Sequence, residues 1–501
     1  MKLRAVLGLV ILSAAAACTV GGVTVSLGGG PLQSSAGAGS GGDSTAPSGS
    51  AGLALGGDTG DGGLMVTPPP VYNPCNGPTD KMKTTISGTV WDPKGEVQMY
   101  NAVVYVPKEP GPLPKFQDQV ACEWCTDSVA AQAVTLSGPD GSFVLKDTLA
   151  GNVDLVVQVG KWRRKQTVDI KPCQDNPIAK DKTRLPRSNG EGDIPKIAVS
   201  TGHSDALECL LRKIGIDDSE FTTDAGDGRV NMFVGCEEDD PDPVDLTRHT
   251  GANHFSDQLH GGSFPSTNRL FDAGKLNTYD VLVFSCEGHK CDTIQTQTHV
   301  AQLVDFANHG GRVFLGHDHY NWLNHANVPI ESAAQFSSSK DPVPSPLTTK
   351  IDTSFPKGAA FAAWLKYVNA STTLGALDIY TAKTSVKSLS NNRAQQWIYR
   401  KEDLDNPQYN GFFYFTIGTP VAVNDDDPAP KACGRVVFTD LHLSNTDGGQ
   451  ATDSSDQNKP FPDGCTDNPL TAQEKALEFM FFDLTSCVQQ EDAVPTPPVV
   501  K

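Results

Sequence analysis

The chain reads as a multidomain protein: a disordered N-terminal tether, an all-β sandwich, and an α/β three-layer domain with a mostly parallel sheet. Three observations predict this. Residues 19–65 are dominated by Gly, Ser and Ala. From Thr84 to about Ile170, short alternating runs are separated by Pro/Gly turns. From about Ile194 onward, short apolar runs alternate with segments of helical period, the pattern of a sheet covered by helices. The divisions that follow are 1–17 as a signal peptide, 18–72 as a linker, 73–185 as the sandwich, 194–490 as the α/β domain and 491–501 as a disordered tail.

Lys2 and Arg4 precede the apolar run 5–12, and Ala14-Ala15-Ala16-Ala17 leads to Cys18. A charged start, a short apolar core and small residues before a cut describe a secretory signal peptide. The run is too short to span a bilayer, which takes roughly 20 apolar residues. With Cys18 directly after the small residues, the segment resembles a bacterial lipoprotein signal, though Ala15 stands where such signals place Leu. The resemblance implies lipidation of Cys18 and a membrane partner reached through that lipid. The place of work is then the cell envelope, as an outer-membrane lipoprotein or at the periplasmic or cell surface. A Gly/Ser linker of this length cannot bury enough apolar surface to fold, and its reach is on the order of 40 Å.

Net charge is −19, with the acidic residues spread along the chain. That disfavours nucleic acid or anionic lipid headgroups as the main partner. Twelve cysteines in an exported chain read as disulfides before they read as metal ligands. Removing Cys18 leaves an odd number, so at least one thiol stays free or pairs between chains. Cys122-Glu123-Trp124-Cys125 sits in a loop rather than at a helix start, so a local disulfide is favoured over a redox pair. Cys465–Cys487 and Cys286–Cys291 are the other local pairs expected, and Cys75–Cys173 would bracket the sandwich.

In the first folded region, Ile86-Ser87-Gly88-Thr89-Val90 ends in the turn Asp92-Pro93-Lys94-Gly95, a strand closed by Pro/Gly punctuation. The run 102–106 follows, then 134–136, the turn Pro139-Asp140-Gly141, and Phe143-Val144-Leu145. Residues 153–159 and 166–170 bring the set to about seven strands, the count of a small sandwich. Gly88-Thr89-Val90-Trp91-Asp92, Gly95, the run 101–106 and Asp140-Gly141-Ser142-Phe143 resemble the carboxypeptidase regulatory-like domain. The resemblance implies an accessory module without catalytic residues of its own. Between the last two strands, Lys161-Trp162-Arg163-Arg164-Lys165 reads as an exposed hairpin turn in preference to a ligand patch.

In the second region, the run 197–200 is a short buried-type strand, followed by Ala206, Leu207, Leu210, Leu211 and Ile214 at helical spacing. Ser204 or Asp205 is its expected N-cap. Tyr279-Asp280-Val281-Leu282-Val283-Phe284 is the next strand, a helix runs from about Gln295 to Asn308, and Arg312-Val313-Phe314-Leu315 follows. Near the end, Thr471-Ala472-Gln473-Glu474 is a capping box opening an amphipathic helix. The segments 279–283, Gly310-Gly311-Arg312-Val313-Phe314-Leu315-Gly316-His317 and 434–439 resemble the class I glutamine amidotransferase-like fold, its ThuA-like branch most closely. Residues 320–430 fit that pattern poorly.

Open parallel sheets bind ligands beyond the C-terminal strand ends. His203, Cys286, Glu287, His289, His317, Asp318, His319 and His442 fall at such ends and are the expected ligand-binding residues. The amidotransferase mechanism needs a cysteine on the sharp turn after the strand. Here that turn reads Gly316-His317-Asp318-His319-Tyr320, so glutamine hydrolysis is disfavoured. His317 and His319 are candidate ligands for a divalent metal, with Asp318 and with His442 or His289 beside them, although no cofactor is the favoured reading. The expected function is ligand binding without catalysis, the ligand being a small molecule or a carbohydrate. The alternatives are a hydrolase or isomerase using His317, Asp318 and Glu287 as acid/base groups, and a purely structural envelope protein.

Overall fold

The computed structural model describes Cys75 and residues 83–501, apart from 203, 204, 206, 237–263, 289, 325–328, 338–342, 402, 404, 425, 426, 429 and 444–467. The expected signal peptide, Cys18, the linker, His203, Ser204, His289 and Cys465 lie outside the described residues. What is described is rich in strands, with several sheets and few helices. No described helix is long and apolar enough to cross a membrane.

The first region has seven strands: β1 (Thr85–Thr89), β2 (Val103–Pro107), β3 (Ala131–Leu136), β4 (Ser142–Leu145), β5 (Gly151–Val159), β6 (Trp162–Ile170) and β7 (Asp175–Pro177). They form a three-stranded sheet in the order β4-β1-β7 and a four-stranded sheet in the order β3-β2-β5-β6. Alternation along the strands sends Ile86, Val104, Phe143, Leu145, Leu155 and Val157 into one shared core. A single helical turn, α1 (Lys180–Thr183), leads out.

The second region begins with β8 (Ile197–Ser200), α2 (Leu207–Lys213), β9 (Phe221–Thr222), β10 (Val230–Phe233), β11 (Val281–Phe284), α3 (Gln297–Asn308) and β12 (Arg312–Leu315). Next come α4 (Asn321–Asn324), β13 (Ala334–Phe336), β14 (Leu347–Ile351), α5 (Pro356–Tyr367), β15 (Ala376–Ile379) and β16 (Val386–Leu389). The last elements are β17 (Gln395–Arg400), β18 (Gly411–Thr419), β19 (Gly434–Thr439) and α6 (Ala472–Thr485). Ten of these strands make one sheet in the order β15-β14-β17-β18-β19-β12-β11-β8-β10-β9. From β19 to β9 the neighbours are parallel, and from β15 to β19 they are antiparallel. The sheet is therefore mixed, not mostly parallel as expected. The difference arises in residues 320–430, whose strands β14, β15, β17 and β18 pair antiparallel.

Alternate residues of the parallel strands face opposite sides, and both sides are buried. Val281 and Val283 enter the core shared with α2, α5 and α6, whereas Leu282 and Phe284 pack against α3. This is why β8, β11 and β12 read as unbroken apolar runs. The capping box of α6 forms as expected, with Thr471 and Glu474 each capping the other's backbone. Asp205 does not serve simply as a helix cap, since its carboxylate accepts from the Leu443 backbone at 2.9 Å.

The β5–β6 hairpin tip corrects the sequence reading most sharply. Lys161, Trp162 and Arg163 are buried, not an exposed turn. Trp162 packs edge-on against Phe481 and Phe482 of α6, with ring centroids 6.2 and 5.5 Å apart. The Lys161 ammonium is paired with Asp280, just before β11, and lies 3.5 Å from Glu123. At Gly160 (φ +53°) the chain comes so close to α6 that a Cβ would lie 1.9 Å from the Thr485 carbonyl oxygen. The buried Lys161 and Arg163 are tolerated inside because carboxylates meet them, Asp280 and Glu123 for Lys161 and Asp193 for Arg163.

The disulfides tie the same junction. Cys122 bonds Cys433 and Cys125 bonds Cys487, so the expected Cys122–Cys125 and Cys465–Cys487 pairs do not form. Each half of the CxxC loop instead lies within bonding reach of the second region, at Cα separations of 4.7 and 4.9 Å. Cys75 bonds Cys173. Cys236, beyond β10, takes Cys291, which overturns the Cys286–Cys291 pair. The segment 491–501 is not a disordered tail: Glu491 pairs with Lys357 and Arg435 at 3.0 and 3.1 Å, and Val500 bridges to Val129.

A Trp162→Ala variant should lose about 3–5 kcal/mol of stability in chemical denaturation, the usual cost of emptying a buried aromatic site. A loss below about 1 kcal/mol would make the tip a surface appendage. Asp92, buried beside Glu478 of α6, has its pKa raised from 3.8 to about 7, mainly by burial. Because the folded value is the higher one, this stabilisation is fully present below about pH 4 and is lost as pH rises through about 7. Asp92→Asn should therefore flatten the pH dependence of the melting temperature between about pH 4 and 8. An unchanged slope would contradict the shift.

Candidate functional site

β8 has β10 and β9 on one side and β11, β12 and β19 on the other, so strand order reverses between β8 and β11. Ligand crevices form at the C-terminal ends of strands at such a point. The chain approaches itself closely here: a Cβ on Gly202, after β8, would lie 2.2 Å from the Cys286 carbonyl oxygen. Only glycine fits that crossing.

Cys286 lies two residues past β11 and is the free cysteine among the described residues. Its Sγ is 3.5 Å from His317 Nδ1 and 3.8 Å from Asp318 Oδ2, and it accepts from the Gly288 backbone N–H at 3.4 Å. His317 and Asp318 come from the turn after β12, where Asp318 holds φ +67°, an unusual value for a residue with a side chain. Asp318 Oδ2 is 3.2 Å from His317 Nδ1. His442, three residues past β19, stacks edge-on to His317 with ring centroids 5.3 Å apart. Its Nδ1 faces the Thr381 carbonyl oxygen at 3.4 Å, while its buried Nε2 has no hydrogen-bond partner among the described residues. Cys286, His317 and His442 each place one ligand-type atom within 4.8 Å of the other two.

Electrostatics keep all three neutral. Burial raises the Cys286 thiol well above its ordinary value, and Asp318, Asp205 and Glu287 push it further. Burial lowers His317 to about 2, with His442, Lys383 and His319 adding to the effect. Burial, then Lys383, lowers His442 to about 4. A thiol in this setting is not a thiolate, and neither His317 nor His442 stands beside it as an imidazolium to make one.

His319 belongs elsewhere. Its Nε2 donates to the Ser285 carbonyl oxygen at 2.6 Å, and its Nδ1 accepts from Trp322 Nε1 at 3.1 Å and faces Gln295 Nε2 at 3.3 Å. With both ring nitrogens engaged it is a packing histidine, not a metal or ligand contact. His317 and His319 were expected together as candidate metal ligands. They sit in a turn, and the left-handed Asp318 between them sends the rings apart. Glu287 also turns away, toward β10, where its Oε1 accepts from the Cys236 backbone at 3.1 Å. Of the eight expected residues, Cys286, His317, Asp318 and His442 converge, whereas His203 and His289 lie outside the described residues.

The sequence reading missed Asp440 and Glu208. Asp440 directly follows β19 and accepts from the Ser385 backbone at 2.8 Å. Burial, less two hydrogen bonds from Ser385 and with the Asp318 charge adding, raises it to about 7. The signal was available, since a carboxylate directly after an unbroken apolar strand has no obvious place in water. Glu208, fully buried on α2, receives Ser285 Oγ at 3.5 Å, and its helical spacing gave no such hint. A cavity of about 740 Å³ lies away from this convergence, beside β16, β17 and β18. Two of its cations are engaged locally, Arg400 with Asp403 at 2.6 Å and Lys401 with Gln396 at 2.7 Å.

No family model matches the chain, and no curated protein does. Among solved structures, an N-terminal interface mutant of a type II cohesin–X-dockerin complex from Acetivibrio cellulolyticus is 14% identical, covering 28% of this chain and 75% of that one, with a TM-score of 0.15. A C-terminal interface mutant of the same complex is 15% identical over the same shares, with a TM-score of 0.14. Similarity at that level carries no argument about this chain.

The two histidines of the turn should separate cleanly on mutation. His319→Ala strands the Ser285 carbonyl and the Trp322 indole N–H, and should cost about 2–4 kcal/mol in chemical denaturation. His317→Ala, which breaks no such set, should stay within about 1 kcal/mol of wild type. Equal losses in both would make His317 a packing histidine as well.

Proposed function

We propose that this is an exported, lipid-anchored cell-envelope protein that binds a ligand at the strand-end crevice of its second region, with the β-sandwich as an accessory module. In this reading the first region is a carboxypeptidase regulatory-like sandwich. The second is a degenerate, ThuA-like relative of the class I glutamine amidotransferases. The observation that carries it is the convergence of Cys286, His317, Asp318 and His442 at the switch in strand order. A neutral thiol and two neutral imidazoles offer lone pairs and hydrogen-bond groups for holding a ligand. They lack the thiolate–imidazolium pair that nucleophilic thiol chemistry uses. The carbohydrate-like ligand class comes from the ThuA-like resemblance. A net charge of −19 opposes binding to a phosphate backbone.

Mass spectrometry of the mature, chelator-treated chain tests this. Cys286 should react with iodoacetamide in the folded protein far more slowly than a free thiol, and completely once guanidinium is added. Fast, stoichiometric alkylation of the folded chain would contradict the reading and point to Cys286 as a nucleophile with His317 as its base. The same spectra should show lipid on Cys18, and a free, unmodified Cys18 would remove the membrane anchor.

A further inference from the structure

We infer that Cys286, His317 and His442 form a three-ligand centre for a zinc- or copper-class cation, a step that rests on the ligand-binding reading of the same crevice. Tetrahedral zinc with bonds of about 2.3 Å to sulfur and about 2.0–2.1 Å to nitrogen sets a sulfur–nitrogen edge of about 3.5 Å. Cys286 Sγ and His317 Nδ1 are 3.5 Å apart, and the third ligand atom lies within 4.8 Å of both. The ligands descend from three adjacent strands, β11, β12 and β19, so the sheet presets their spacing.

His442 supplies an independent observation. It is 5% exposed, and its Nε2 has no hydrogen-bond partner among the described residues. A ring nitrogen buried without a partner is rare, because nothing replaces the water it gave up. Its other nitrogen faces the Thr381 carbonyl oxygen. That contact places the ring proton on Nδ1 and the lone pair on Nε2, the arrangement in which histidines ligate metals while a backbone carbonyl orients them. The surroundings suit a cation. Asp318 Oδ2 stands 3.8 Å from the sulfur, close enough to complete the coordination or to receive a bound water. A bound cation displaces the Cys286 thiol proton to solvent, and the resulting thiolate with imidazole selects zinc and copper over magnesium or calcium, which take oxygen ligands.

The test uses the full mature chain, stripped with a chelator and titrated with Co²⁺ as the optical probe, then with Zn²⁺ and Cu⁺ as competitors. One equivalent of Co²⁺ should produce a thiolate-to-cobalt charge-transfer band, and Zn²⁺ or Cu⁺ should abolish it. Cys286→Ser should remove the band, and His442→Ala should weaken binding by at least about 10–100-fold. His309→Ala, on an exposed helix end, should change nothing. The wild-type band decides even if a variant fails to fold. Absence of the band, or a band that survives Cys286→Ser, overturns the metal centre. If no ion binds, yet the folded chain still protects Cys286 and binds a saccharide in a glycan panel through His317, the metal centre falls and the ligand-binding reading stands. If no ion binds and Cys286 is alkylated fast in the folded chain, both readings fall.

Discussion

The buried Lys161–Asp280 pair is the contact on which the rest of the structure hangs. Asp280 stands at the entrance to β11 and holds Lys161 with one oxygen and the Lys196 backbone N–H with the other, at 2.7 Å. It thereby fixes the first region to the starts of both β8 and β11. Arg312, at the start of β12, donates to the carbonyls of Gly310, Cys433 and Ser486. These parallel strands are four residues long, a rise of roughly 13 Å. Anchors at one end thus set the register at the other, where Cys286 and His317 sit. Removing one partner of such a pair leaves a buried charge uncompensated, which is far costlier than never having built it.

A second buried network secures the antiparallel half. Lys357 of α5 and Arg435 of β19 face Asp483 of α6 and Glu491 beyond it, with contacts of 2.6 to 3.1 Å. Two cations meet two carboxylates, so the charge is balanced without solvent. The disulfides Cys122–Cys433 and Cys125–Cys487 close loops across the same junction. Both regions therefore share one core, and the sandwich acts as part of the frame that shapes the strand ends.

Much of this was legible in the sequence where the signal is local. β8, β11, β12 and β19 read as strands because both faces are buried, and α6 announced itself through Thr471 and Glu474. His317, Asp318, Cys286 and His442 were visible as reactive types at the ends of those strands. What stayed hidden depends on partners far along the chain. Lys161 and Arg163 look like surface charges until Asp280, Glu123 and Asp193 meet them. The pairing of Cys122 and Cys125 is set by where residues 433 and 487 fold, which spacing cannot tell. The separation of His317 from His319 turns on one left-handed residue, Asp318, that composition does not betray.

The strand-end site brings a buried thiol against two buried imidazoles, with Asp318 at their side. That combination is poorly suited to nucleophilic attack and well suited to holding an ion. X-ray absorption at the zinc edge, on the mature chain loaded with one equivalent of Zn²⁺, measures it directly. The account predicts one sulfur neighbour at about 2.3 Å and two imidazole nitrogens at about 2.0–2.1 Å. A shell of oxygen and nitrogen with no sulfur would contradict it.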